Sequence, residues 1–212
     1  MVSILIPTIR TAGLQRCVNA AKMHAGVDLD VQFMYALDSN RIGCPKILKY
    51  LVERSKFDLV MFLGDDTIPQ QDYLIEAINA MASLPGGWGL VGLNDGFQDG
   101  TKLATHWLAS KKLLPLIGGE FFHTGYLHTF CDNELTERCK VLGRYVWAVN
   151  SKIEHDHPLV KGTPADADYQ RVYSKKYQDH DNELFLSRRH LWIDGETNKK
   201  GTGKDIKNYT RI

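Results

Sequence analysis

The stretch Phe62 to Leu74, FLGDDTIPQQDYL, sets two adjacent carboxylates, Asp65 and Asp66, directly behind one apolar run and ahead of another. The preceding run, Leu59 to Leu63, is too short for a helix and reads as a buried strand, whereas Leu74, Ala77, Ile78 and Met81 recur at helical spacing. The acidic pair therefore falls in a turn at the carboxyl end of a strand. Aspartate is common in turns, and a type I turn alone accounts for the pair. Crowded carboxylates also repel, and a hard divalent cation, Mg²⁺ or Mn²⁺, relieves that repulsion while keeping positions open for a diphosphate. What else the fold brings to this turn separates the two readings.

The same grammar extends in both directions. Val2 to Ile6 is a β-branched apolar run ended by Pro7, and Leu14, Cys17, Val18, Ala21 and Ala25 then follow at helical spacing. Val31 to Leu37 reads as a second strand ending at Asp38, with Pro45 in the first turn of the next helix. Alternating strands and helices imply an α/β sheet, mainly parallel, flanked by helices. After Pro85 the pattern loosens. Leu90 to Leu93 is a short strand, NDGFQDGT a polar loop, and Thr105 to Leu114 a strand or a strand-helix junction. A helix begins near Asp132, Tyr145 to Val149 alternates like a late strand, and Pro164 to Leu191 is polar and helical in part.

Composition sets the limits. The 212 residues are 43% apolar and 24% charged with a net charge of +1, which describes one ordinary globular domain with no overall pull towards nucleic acid or acidic lipid. Residues 1–194 are expected to form that domain, and 195–212, with Lys199, Lys200, Lys204, Lys207 and Arg211, a flexible basic tail. Cys17, Cys44, Cys131 and Cys139 show no paired spacing and read as free thiols of a reducing compartment. No run approaches the roughly 20 apolar residues of a membrane span. The expectation is a cytoplasmic protein without its own anchor.

Ligands of an open parallel sheet collect beyond the carboxyl ends of its strands, where Asp38, Asp65 and Asp66 all fall. A second cluster is IEHDHP, Ile153 to Pro158, in which His155 and His157 point to opposite sides if the segment is extended. A third is FCDNELTERC, Phe130 to Cys139, where Asp132 suits a helix N-cap and equally a general base. Ahead of it, GGEFFHTGYLH offers Phe121, Phe122, His123, Tyr126 and His128, either as core aromatics or as the wall of a sugar or base pocket.

In this order, SILIPTIR, an acid closing the second strand, FLGDDTIPQQDYL, CDNELTERC and IEHDHP, the chain resembles the GT-A glycosyltransferases, most closely those similar to family 2. The resemblance spans Val2 to Pro158. It implies a GT-A, Rossmann-like fold and a nucleotide pocket built from Pro7, Thr8 and Arg10, with Asp38 at the base. It also implies a D-x-D-like motif whose first position is Gly64 here, with Asp65 in the middle and Asp66 on the metal. The family's E-D-x-[DE]-L segment matches C-D-N-E-L, which puts the base on Asp132 with Glu134 as second candidate and Cys131 where a glutamate is usual. The family's late metal-binding histidine matches His155 or His157.

The implied function is metal-dependent, inverting transfer of a sugar from a nucleotide diphosphate donor to an acceptor hydroxyl, with Mn²⁺ or Mg²⁺ as cofactor. The acceptor is open among a glycan, a small molecule, a protein and a modified nucleic-acid base. Two rivals share the fold class. A non-catalytic nucleotide-sugar or glycan-binding module is favoured by Gly64. A metal-dependent nucleotidyltransferase usually has a glycine-rich basic phosphate loop, and TIRTAGLQR offers a single glycine.

Overall fold

A computed structural model describes residues 1–26 and 30–193, so the expected basic tail lies outside the described residues. The elements are β1 (Val2–Thr8), α1 (Thr11–Met23), β2 (Val31–Leu37), α2 (Cys44–Arg54), β3 (Leu59–Phe62), β4 (Thr67–Pro69), α3 (Tyr73–Ala82), β5 (Leu90–Asn94) and β6 (Trp107–Ser110). They are followed by α4 (Cys131–Val141), β7 (Tyr145–His155), α5 (Pro158–Lys161), α6 (Ala167–Val172) and α7 (Lys175–Arg188).

One seven-stranded sheet runs in the order β2-β1-β3-β6-β5-β7-β4. β1 pairs in parallel with β2 and β3, and β5 with β7. β6, between β3 and β5, is antiparallel to both, and β4 is antiparallel to β7. The result is a mixed, mostly parallel α/β sheet of the Rossmann-like kind.

Period-two alternation along β1 explains how the sheet is covered. Ile4 and Ile6 pack with Cys17, Val18, Leu74, Ala77 and Met81 from α1 and α3. Leu5, one residue out of phase, packs on the opposite face with Leu48 and Leu51 of α2, Trp107 of β6 and Leu135 of α4. Each of these β1 side chains is fully buried, so truncating any one to alanine costs about 2–5 kcal/mol.

Two details depart from the sequence expectation, and a third takes one of its alternatives. The late strand continues beyond Val149 to His155, because β7 changes partner: Tyr145–Ala148 pair with β5 and, past a bulge at Leu93/Asn94, Ile153–His155 pair with β4. β4 carries Pro69, which is tolerated because this strand forms the sheet's edge. Thr105 to Leu114 resolves into β6 followed by a 3₁₀ helix, Lys111–Leu116. All four cysteines are free, and among the described residues no helix is long and apolar enough to cross a membrane.

Candidate active site

Gly64 to Thr67 is a tight turn, closed by the Thr67 amide on the Gly64 carbonyl at 3.2 Å and by the Thr67 hydroxyl on the same oxygen at 2.8 Å. The turn separates its two carboxylates. Asp65 faces back into the loop after β1, where Oδ2 accepts from the Thr8 hydroxyl at 2.7 Å and from the amides of Ile9 and Arg10 at 3.2 Å each. Its Oδ1 accepts from Arg10 Nη2 at 2.8 Å. Asp65 is buried and saturated, so its first task is to shape that loop.

Asp66 faces the cleft instead. Its Oδ2 accepts the Tyr169 hydroxyl of α6 and lies 3.5 Å from His155 Nε2 and 3.9 Å from Arg10 Nη2. Burial works against the charged form, but His155 and the Tyr169 hydroxyl outweigh it and hold Asp66 well below the usual carboxylate range. On the far side of the same imidazole, Asp95 Oδ2 stands 3.6 Å from His155 Nδ1. Burial again opposes the charge, yet the two flanking carboxylates raise His155 to about 9.

His106 completes a group of three. It precedes β6, is almost fully buried, and lies flat against Phe62, with ring centroids 5.8 Å apart at 11°. Its ring meets His155 edge-on at 4.9 Å. Ligand-capable atoms of Asp66, His106 and His155 all lie within 4.8 Å of one another. Burial, then the neighbouring His155, lowers His106 to about 4, so its imidazole is neutral at pH 7. Its Nδ1 is buried without a hydrogen-bond partner among the described residues. A Cβ on Gly64 would stand 2.5 Å from Asp66 Oδ1 and 3.1 Å from His106 Nε2, so glycine is what lets the carboxylate and the imidazole converge there.

Asp132 enters the cleft from the first turn of α4. The cap of that helix is Phe130, in the left-handed region at φ 63°, and the N-cap role considered for Asp132 is corrected accordingly: its Oδ1 accepts only the Asn133 amide, at 3.0 Å. Burial raises Asp132 to about 6. The second candidate base lies elsewhere. Glu134 is buried in a network with Tyr126 Oη at 2.7 Å, Arg188 at 2.8 Å and Arg138 at 2.9 Å, and it does not line the cleft.

Pro7, Thr8, Arg10, Asp38, Asp65, Asp66, Asp132, His155 and His157 all line a single cleft at the carboxyl edge of the sheet. Asp38 accepts the amides of Ile42 and Gly43 at 2.8 Å each, which folds the β2–α2 loop into one wall. His157 lies beyond the end of β7, so the opposite facing expected of an extended His-x-His does not arise, and its ring packs 5.3 Å from that of His155. Burial, then His155, lowers His157 to about 4. Phe121 and Tyr126 are core residues, whereas Phe122 and His128 reach the cleft wall.

Sequence reasoning missed four residues here. His106 precedes β6, and no local signal tells that β6 runs antiparallel to its neighbours, which brings its start to the acidic edge. Asp95 follows β5 directly and satisfies the strand-tip rule, but it lay in a loop read only as polar. Tyr169 carried no signal in the sequence. Asp181 of α7 is fully buried and accepts the amides of Leu127, His128 and Thr129 at 2.8 Å each, which anchors the segment leading to Asp132.

Comparison with known proteins finds the fold. No protein-family model and no curated protein sequence matches the chain. Among solved structures, it is similar to the mannosyltransferase PcManGT from Pyrobaculum calidifontis in complex with GDP-Man and Mn²⁺ (11% identity, 99% of this chain, 82% of that one, TM-score 0.59). It is also similar to TarS from S. aureus (12% identity, 96% and 46%, TM-score 0.56) and to TarS 1-349 in complex with UDP (11%, 98% and 77%, TM-score 0.56). The chain has the GT-A-like fold of these glycosyltransferases.

Proposed function

We propose that the protein is a glycosyltransferase that moves a sugar from a nucleotide diphosphate donor to an acceptor hydroxyl, in one displacement with inversion at the anomeric carbon. The observation that carries this reading is that Asp132, a carboxylate poised near pH 6, opens into the same cleft as Asp66 and His155, while Glu134 is held outside it. The neighbours' ligands, GDP-Man with Mn²⁺ in one and UDP in the other, support a nucleotide-linked donor and a divalent ion.

The residues present suit such an ion. One carboxylate, the buried imidazole of His106 and the half-buried one of His155 converge, and His106 Nδ1 has no hydrogen-bond partner among the described residues. Mn²⁺ or Mg²⁺ would be held by Asp66 and His155, with His157 beside them, and would supply positive charge to the diphosphate of the leaving nucleotide. Pro7, Thr8, Arg10 and Asp38 hold the nucleotide, and the Asp65 clasp keeps their loop in place. Asp132 removes the proton of the acceptor hydroxyl. Phe62, Phe122 and Ile47 of the cleft wall limit water and so favour transfer over hydrolysis.

A binding module of the same fold is the second reading, favoured by Gly64 at the first motif position and by the Tyr169 hydroxyl resting on Asp66. A nucleotide-release assay over a panel of nucleotide sugars, with and without each divalent ion, separates the two. Ion-dependent release supports the transferase. Nucleotide binding with no release from any donor supports the module.

A further inference from the structure

We propose that His106 is a third protein ligand of the cleft's cation site, and that the site prefers a borderline transition ion such as Co²⁺ or Zn²⁺ over Mg²⁺. The proposal deepens, and rests on, the reading of the cleft as a metal-assisted site. It starts from position 64. A side chain there would run into Asp66 Oδ1 and His106 Nε2, so the space a first-position carboxylate would enter is already shared by a carboxylate and an imidazole.

The bland reading of His106 is a core histidine stacked on Phe62. Packing accounts for its ring plane but not for its polar atoms: Nε2 converges with Asp66 Oδ1 on the space beside Gly64, and the buried Nδ1, which normally finds a partner, has none among the described residues. Its neighbours supply the second observation. Ligand-capable atoms of Asp66 and His155 lie with that of His106 inside 4.8 Å, and Asp95 supplies a carboxylate 3.6 Å from Nδ1 on the far side of His155. Two imidazoles and one carboxylate form a nitrogen-rich set. Mg²⁺ selects oxygen ligands and dehydrates reluctantly, whereas imidazole suits the later divalent ions.

The test uses the full chain, stripped with a chelator and desalted, titrated with each ion in the absence of nucleotide. Calorimetry reads affinity, and the visible absorption of Co²⁺ reads nitrogen ligation. The expected result is one Co²⁺ per chain, with Mg²⁺ bound about 100-fold more weakly or worse. His106→Phe keeps the stack on Phe62 and is expected to lose about 10- to 100-fold in Co²⁺ affinity with an altered spectrum. His106→Gln is the second variant, and an unfolding midpoint for each shows that the chain is folded. Wild-type Co²⁺ affinity and spectrum in both variants, equal affinity of the wild type for Mg²⁺ and Co²⁺, or no Co²⁺ binding at all would overturn the proposal. A chain that binds Co²⁺ through His106 yet releases no nucleotide from any sugar donor supports this site and sinks the transferase reading alone.

Discussion

Arg10 and Asp65 form the clasp that ties the loop after the first strand to the acidic turn: Arg10 Nη2 lies 2.8 Å from Asp65 Oδ1, and the guanidinium lies 4.5 Å over the ring of Tyr169. Three segments far apart in sequence meet at this cation. The strand-tip turn, the loop after β1 and α6 therefore meet at one guanidinium, and neighbouring aspartates take different roles.

That division predicts different phenotypes for the two acids. Asp65→Ala leaves a partly buried guanidinium, the Thr8 hydroxyl and the Ile9 amide short of a partner, and is expected to cost about 2–3 kcal/mol, read as a lower urea midpoint at unchanged slope. Asp66→Asn keeps an acceptor for Tyr169 but removes the charge facing His155, and is expected to abolish divalent-ion binding, which Asp65→Ala retains. Equal loss of divalent-ion binding in both would show that the roles are not divided.

Installing the aspartate missing from the motif is expected to harm the protein. In Gly64→Asp the new Cβ meets the ends of two side chains rather than backbone, so the fold survives, but Asp66 and His106 have to part. Divalent-ion affinity is expected to fall about tenfold or more. Calorimetry with Mn²⁺ checks this, and improved binding would contradict it.

The pH dependence follows from Asp132. Burial raises it from 3.8 to about 6, so between those values the folded chain retains a proton that the unfolded chain has released. This site's contribution to stability therefore decreases as pH rises through that window, and Asp132→Asn is expected to remove that component from urea midpoints measured across it. Catalysis runs the other way. A base is active only when ionised, so kcat/KM is expected to fall about tenfold per pH unit below about 6.

Asp181 supplies a prediction away from the cleft. Its carboxylate collects three consecutive amides before α4, and Asp181→Ala orphans all three, at an expected cost of about 3 kcal/mol in urea unfolding. Hydrogen exchange at Leu127 to Thr129 is expected to accelerate in the same variant. Unchanged exchange there would mean that the anchor is dispensable.

Much of this architecture was legible in the residues themselves. The β-branched run at Val2 to Ile6, the apolar run at Leu59 to Leu63 and the spaced faces of α1, α2 and α3 encode strands and helices through local periodicity, and strand tips then locate Asp38, Asp65 and Asp66. What stayed hidden depends on direction and pairing. No local signal tells that β6 runs against its neighbours, and only that reversal brings His106 to the acidic edge. Likewise, the length of β7 follows from its exchange of β5 for β4, a partnership fixed far away in sequence. Glu134 and Asp132 were indistinguishable by spacing. They part because Arg138 and Arg188 claim Glu134, and neither arginine belongs to the motif.

The central claim is that Asp132 is the base of a glycosyl transfer carried out in this cleft. Its most direct measurement is turnover of the Asp132→Asn chain, set beside Glu134→Gln, on whichever nucleotide sugar the wild type consumes, with calorimetry of nucleotide binding in Mn²⁺ on the same samples. The account predicts a loss of about 10²- to 10⁴-fold in kcat for Asp132→Asn with nucleotide affinity nearly unchanged, and far smaller effects on kcat for Glu134→Gln. Wild-type turnover in Asp132→Asn would contradict it.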